Sequence, residues 1–120
     1  MHRGEIYLVD LNNHVGSEQT GIRPAIIVQN DAGNSHSPTT IICPLTSQRK
    51  PSMMTHVALS PKDCGIIKES IVLCEQICVI DKSLVKKKLG EVRNKAKIEE
   101  FNKKLLISIG IEGTYLEQNN

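Results

Sequence analysis

The sequence predicts a mainly β fold of the α+β class: five to seven short strands in a small, strongly bent sheet or barrel, closed by a C-terminal helix. Three observations carry this. Short β-rich runs recur along the chain, each bounded by a cluster of Gly, Pro, Asn, Asp or Ser. One late segment instead places Ile98, Phe101, Leu105 and Ile109 at three- and four-residue spacing, the stripe of a helix that packs on a sheet. A chain of 120 residues is long enough to bury one core without disulfides or a metal.

Taken in order, Glu5 to Leu11 (EIYLVDL) is rich in β-formers and forms the first strand, and Asn12, Asn13, His14 and Gly16 form a loop after it. Thr20-Gly21 supplies a turn, and Pro24 keeps Arg23 out of the helical region, at the mouth of a second strand running to about Gln29. Residues 30–38 are read as a long loop because turn formers accumulate there. Thr39 to Leu45 is a third strand, with Pro44 marking a bulge or an edge position.

Thr55 to Leu59 resumes an alternating strand before a turn at Ser60-Pro61-Lys62-Asp63. Ser70 to Ile80 is the longest β-rich run, a strand expected to bend or bulge near Glu75. Asp81 to Lys88 is read as a short capped helix with cations at its end, and Leu89 to Val92 as a last short strand. The final helix starts after Asn94, a good N-cap, and ends near Gly110. Residues 1–112 are expected to form a single domain, with 113–120 a polar tail.

Composition narrows the function. A net charge of +2 is too weak for wrapping a duplex and suits a local groove for single-stranded nucleic acid. With no Trp, two Tyr and one Phe, an aromatic stacking platform is excluded, so bases would be read by amides, carboxylates and aliphatic surface. Cys43, Cys64, Cys74 and Cys78 follow no secretory leader and read as free thiols of a reduced, cytoplasmic protein. No apolar run approaches the roughly 20 residues that span a bilayer, so no membrane association is expected. The chain has no C-x-x-C and no H-x-x-x-H. Cys74 and Cys78, if both in one strand, stand about 13 Å apart, too far to share an ion. No metal or other cofactor is expected.

Arg23 and Thr46 are the leading candidate pair, each set at the end of an apolar strand by its own local sequence. For Arg23, a surface ion pair with Glu18 is the competing structural reading. Glu75, in the middle of an apolar run, is expected to be buried and to need Arg23 or a backbone donor as its partner. His56, entering a strand, is a candidate for ligand contact and, since imidazole titrates near neutrality, for proton transfer; His14 reads as a solvated loop histidine. Lys86-Lys87-Lys88 reads as a solvated face.

The motifs RGEIYLVDL at 3–11, GSEQTGIRPAIIVQND at 16–31, SPTTIICPLTSQ at 37–48, THV at 55–57 and EQICVID at 75–81 together closely resemble the MazF/PemK family of toxin endoribonucleases over nearly the whole chain. The resemblance implies an SH3-like barrel of the CcdB/MazF type, a homodimer, a MazE-like antitoxin partner, and metal-independent, sequence-specific, ribosome-independent cleavage of single-stranded mRNA. Relatives of this type favour a UACAU-like site. It also implies that Arg23 and Thr46 act at the scissile phosphate, and that Ser17, Glu18, Gln19, Gln48 and Glu75 lie around the RNA. Glu18 or His56 would be the proton acceptor, because a guanidinium with a pKa above about 12 is a costly base. Where the family often shows EQIRTID, this chain has Cys78 in place of a cation. Two other activities are compatible with such a barrel: poisoning of gyrase without catalysis, as CcdB-like relatives do through a Trp-containing end, and plain nucleic-acid binding. The absence of Trp counts against the first.

Overall fold

The computed structural model describes residues 1–14, 20–48 and 51–111. Among them the elements run β1 (Glu5–Asp10), β2 (Ile22–Ile27), α1 (Asp31–His36), β3 (Thr39–Thr46), β4 (His56–Leu59), α2 (Pro61–Cys64), β5 (Ser70–Leu73), β6 (Cys78–Asp81), β7 (Val85–Glu91) and α3 (Lys95–Ser108), with 3-10 turns at Cys74–Gln76 and Lys82–Leu84. The seven strands form one sheet in the order β4-β5-β3-β2-β1-β7, with β6 also on β3. Every pairing is antiparallel.

β3 is central. One of its edges pairs β2; the other pairs β6 from Thr39 to Ile42 and β5 from Leu45 to Thr46. Pro44 falls in the gap between those two ladders, neither a sheet edge nor a ladder bond that its missing N–H would break. The expected bend near Glu75 is the three-residue turn Cys74–Gln76, inserted in a single β-rich run so that its two halves, β5 and β6, pair successive stretches of β3.

Apolar residues on successive positions are buried on both faces of this sheet. Ile26, Cys43 and Leu45 join the core beneath α3 with Phe101 and Leu105, whereas Ala25, Ile27 and Ile42 join Val9 and Ile80 on the other face. This is why the β2 run is continuous rather than alternating. The sheet curls until β7 meets α2. A Cβ on Gly90 would stand 2.1 Å from the Cys64 carbonyl oxygen, a backbone atom that cannot swing aside. Gly90→Ala is therefore expected to cost about 2 kcal/mol or more, read as a lowered Tm.

α3 begins as expected. The Asn94 side chain accepts from the amides of Ala96 (2.9 Å) and Lys97 (3.4 Å). Its stripe is one turn shorter than the spacing suggested, because the helix ends at Ser108 and Ile109 is exposed. Arg3 ties α3 to the sheet: it donates to the Val28 carbonyl and to Asn102 Oδ1, both at 2.8 Å, and lies over the Phe101 ring.

Three local expectations are corrected. The loop read at 30–38 contains α1, since the turn-forming Asn30 is an N-cap that accepts from the Gly33 amide at 2.8 Å. Asn34 anchors this helix, bonding Thr40 Oγ1 and the Gln29 carbonyl. The turn at 60–63 is the start of α2, where Asp63 Oδ2 accepts from the Ser60 amide and hydroxyl in a capping box. The helix expected over Asp81–Lys88 is one 3-10 turn, capped by Asp81 accepting from the Ser83 amide, followed by β7. Pairing of β7 with β1, Val85 opposite Val9, overrides the local helix signal.

Lys88, on β7, reaches Glu5 Oε2 at 2.6 Å. Burial works against ionisation of Glu5, yet Lys88, the His2 amide and the Tyr7 hydroxyl together hold its carboxyl below the ordinary range.

Candidate active site

Arg23 enters the site from β2. Gly21, at φ 82°, makes the turn that precedes it, a conformation glycine adopts without strain. The Arg23 Nε donates to the Thr20 carbonyl at 2.7 Å. That bond fixes the plane of the guanidinium, and among the described residues its two terminal nitrogens have no acceptor. Among the described residues no carboxylate pairs with it, while Glu18, its competing partner, lies outside them with Ser17 and Gln19.

Thr46 is the last residue of β3 and is only 4% exposed. The β2–β3 register sets Ala25 opposite Pro44. Carried two residues further, it sets Arg23 opposite Thr46 on the same face. Thr46 Oγ1 accepts from the Gln48 amide at 3.2 Å, so its hydroxyl proton is free to be given to something else. Arg23, Thr46 and Gln48 then line one pocket of about 560 Å³. An arginine fork and a hydroxyl donor on the rim of such a pocket can bind an oxyanion such as a phosphodiester.

His56 and Glu75 form a second cluster rather than part of this pocket. The 3-10 turn swings Glu75 out of the sheet, leaving its side chain 32% exposed, and its partners are Thr55 Oγ1 at 2.9 Å and His56 Nε2 at 3.4 Å. The expectation of a buried Glu75 paired with Arg23 or a backbone donor is thus corrected. The His56 side chain is 7% exposed, and among the described residues its buried Nδ1 has no hydrogen-bond partner. Strand alternation puts His56 on the face of the sheet that Thr46 occupies, two strands away through β5.

The cysteines also sit differently from the extended-strand estimate. Cys74 opens a 3-10 turn and Cys78 opens β6, so the two are not the ends of one extended strand. Cys43 and Cys74 are hydrogen-bonded buried thiols, and that bond together with burial pushes the Cys43 thiol up. Sequence reasoning missed the far wall of the pocket, formed by Ile66, Ile67, Lys68, Lys87 and Leu89. No local signal marked the segment from Ile66 to Lys68, and the helix assigned to 81–88 hid the part of β7 that carries Lys87.

Comparison with known proteins places this arrangement. Residues 2–109 match the sequence family described as the PemK-like, MazF-like toxin of type II toxin–antitoxin systems. An endoribonuclease MazF of Staphylococcus saprophyticus subsp. saprophyticus is 43% identical over 112 residues, covering 92% of each chain. Among solved structures, a MazF from Deinococcus radiodurans superposes with a TM-score of 0.79 at 24% identity, covering 92% of this chain and 97% of that one. An endoribonuclease from a mycobacterial species, solved in complex with its cognate antitoxin, superposes with a TM-score of 0.76 at 28% identity, covering 93% of this chain and 97% of its own. With an antiparallel curled sheet, a closing helix and a match over nearly its full length, this chain belongs to the PemK-like, MazF-like family of type II toxin–antitoxin toxins.

Proposed function

We propose that this chain, a MazF-type toxin endoribonuclease, cleaves single-stranded RNA at the Arg23–Thr46 pocket by attack of a 2′-hydroxyl on the adjacent phosphate, without a metal ion. The observation that carries the reading is the tether of Arg23 Nε to the Thr20 carbonyl, which presents the terminal guanidinium nitrogens to the pocket that Thr46 shares. In such a reaction negative charge grows on the phosphorane oxygens, and preorganised donors stabilise it where it appears. Arg23 supplies the planar fork. Thr46, whose oxygen already accepts from the Gln48 amide, donates its proton to a further phosphate oxygen.

Glu18, five residues before Arg23 in the sequence, takes the proton of the attacking 2′-hydroxyl; as the O2′–P bond forms the P–O5′ bond breaks, and the 5′ oxygen leaves with a proton from water. His56 is less suited, being engaged with Glu75 and two strands from Thr46. Ser17, Gln19, Gln48, His56 and Glu75 line the path of the RNA, and the first recognition sequence to try is UACAU-like. Residues 1–112 form the working domain, acting as a homodimer in the cytoplasm and neutralised by a MazE-like antitoxin. The family membership and the mycobacterial toxin–antitoxin complex support the antitoxin partner.

The test is incubation of the purified protein with a long single-stranded RNA in excess EDTA. Discrete cleavage that persists with chelator supports the reading. Intact RNA at high protein concentration overturns it.

A further inference from the structure

Two thiols that the proposed cleavage does not use face each other inside the sheet. The β3–β5 register sets Leu45 opposite Val72 and Thr46 opposite Ile71. Carried two residues back along β3, it sets Cys43 opposite Cys74, where β5 gives way to the 3-10 turn Cys74–Gln76. Both side chains are fully buried in the core beneath α3, and their thiols are hydrogen-bonded to each other. Residues directly opposite in an antiparallel pair have Cα atoms about 4.5–5.5 Å apart, inside the roughly 4.4–6.8 Å that a disulfide bridges. The other two cysteines are engaged elsewhere. The Cys64 thiol donates to the Ser60 carbonyl at the start of α2, and Cys78 stands opposite Ile42 and packs with it on the other face of the sheet.

The pair sits where it can act on the site. Cys43 lies three residues before Thr46 on β3. Cys74 donates its amide to the Thr55 carbonyl at 3.1 Å and precedes Glu75, whose carboxylate accepts from the Thr55 hydroxyl. A covalent bond draws the two sulfurs from hydrogen-bonding distance to about 2 Å, pulling the end of β3 toward the turn. We propose that Cys43 and Cys74 are a reversible, peroxide-sensitive modification site, whose disulfide displaces Thr46 and slows cleavage. One thiolate attacks hydrogen peroxide, the O–O bond breaks, and a sulfenic acid forms. The second thiolate attacks that sulfur and its S–O bond breaks. Each hydroxide released takes up the proton its thiol gave up, so two thiols and one peroxide become one disulfide and two waters. A buried thiol is a poor nucleophile, so the pair reacts when the three-residue turn opens. The effect on cleavage rests on the nuclease reading, and the disulfide itself does not.

The experiment uses the full chain in a Cys78→Ser background, because Cys74 and Cys78 share the tryptic peptide 69–82. After treatment with millimolar hydrogen peroxide and blocking of the remaining thiols, peptide mapping without reductant is expected to show the Cys43 peptide joined to the Cys74 peptide. The oxidised protein should gain about 5–10 °C in Tm. It should lose about tenfold in kcat/KM on RNA, and dithiothreitol should reverse both changes. Cys43→Ala in the same background should form no cross-link, and its cleavage should not respond to peroxide.

Absence of the cross-link between Cys43 and Cys74 would overturn the proposal and leave the pair as core packing. A cross-link that leaves cleavage unchanged would overturn it as well. So would a loss of cleavage that persists in Cys43→Ala, which would assign the effect to the exposed Met53 and Met54. Failure of the nuclease reading looks different: the cross-link and the gain in Tm then appear, while the reduced protein already leaves RNA uncut.

Discussion

Arg23→Ala is expected to fold normally and to lose roughly 10³-fold in RNA cleavage, the scale seen when a preorganised donor to a developing oxyanion is removed. The structure makes the two halves of that result separable. Arg23 is half-buried and its one bond to a described residue is to a nearby carbonyl, so truncation should cost the fold less than about 1 kcal/mol. The loss should appear in kcat, because the fork matters most when charge builds on the phosphorane. Arg23→Lys keeps a charge but not the paired donors, and should recover only a small part of the rate. A large fall in Tm in Arg23→Ala would instead assign the residue to a structural ion pair.

The second large effect is at Thr46. Thr46→Val retains the branched shape that fills a nearly closed position at the end of β3, and removes only the hydroxyl. Cleavage should fall by about 10- to 100-fold, as befits one neutral hydrogen-bond donor. The loss of the acceptor for the Gln48 amide adds a modest cost to local order. If Thr46 donates to the same phosphate that Arg23 binds, as proposed, the double variant should lose less than the product of the two single losses. Single-turnover kinetics on one RNA with all four proteins measures this.

How much of this was legible in the sequence follows from where local chemistry decides the structure. Short-range signals did well where nothing opposed them: Asn94 caps α3, Gly21 turns into β2, and the run from Ser70 to Ile80 breaks at Glu75. They failed where strand pairing prevailed. The residues before Leu89 carry a helix cap and lysines, but β1 needed a neighbour and Val85–Glu91 became that strand. Turn formers at Asn30 and Ser60 were ambiguous for another reason, since the side chains that terminate a strand also start a helix.

The site divides in the same way. Arg23 and Thr46 could be singled out as candidates because each sits at a strand end marked by Pro24 or by the apolar run before it, and the β2–β3 register faces them together. Glu75 was placed wrongly because an acidic residue inside an apolar run looks buried unless the chain turns there. The aliphatic wall from Ile66, Ile67 and Leu89 was invisible, since it is assembled by the curl of the sheet from segments more than 20 residues apart. The close approach of Gly90 to Cys64 that completes the curl has no local signature either.

In the proposed reaction the 2′-hydroxyl of the RNA is the nucleophile at the Arg23–Thr46 pocket. The most direct measurement is the chemistry of the ends after cleavage in EDTA, together with the same RNA carrying a single 2′-deoxy nucleotide on the 5′ side of the cut. A 2′,3′-cyclic phosphate with a 5′-hydroxyl, and no cutting at the deoxy position, is the predicted result. A 3′-hydroxyl with a 5′-phosphate, or undiminished cutting at the deoxy position, would contradict it.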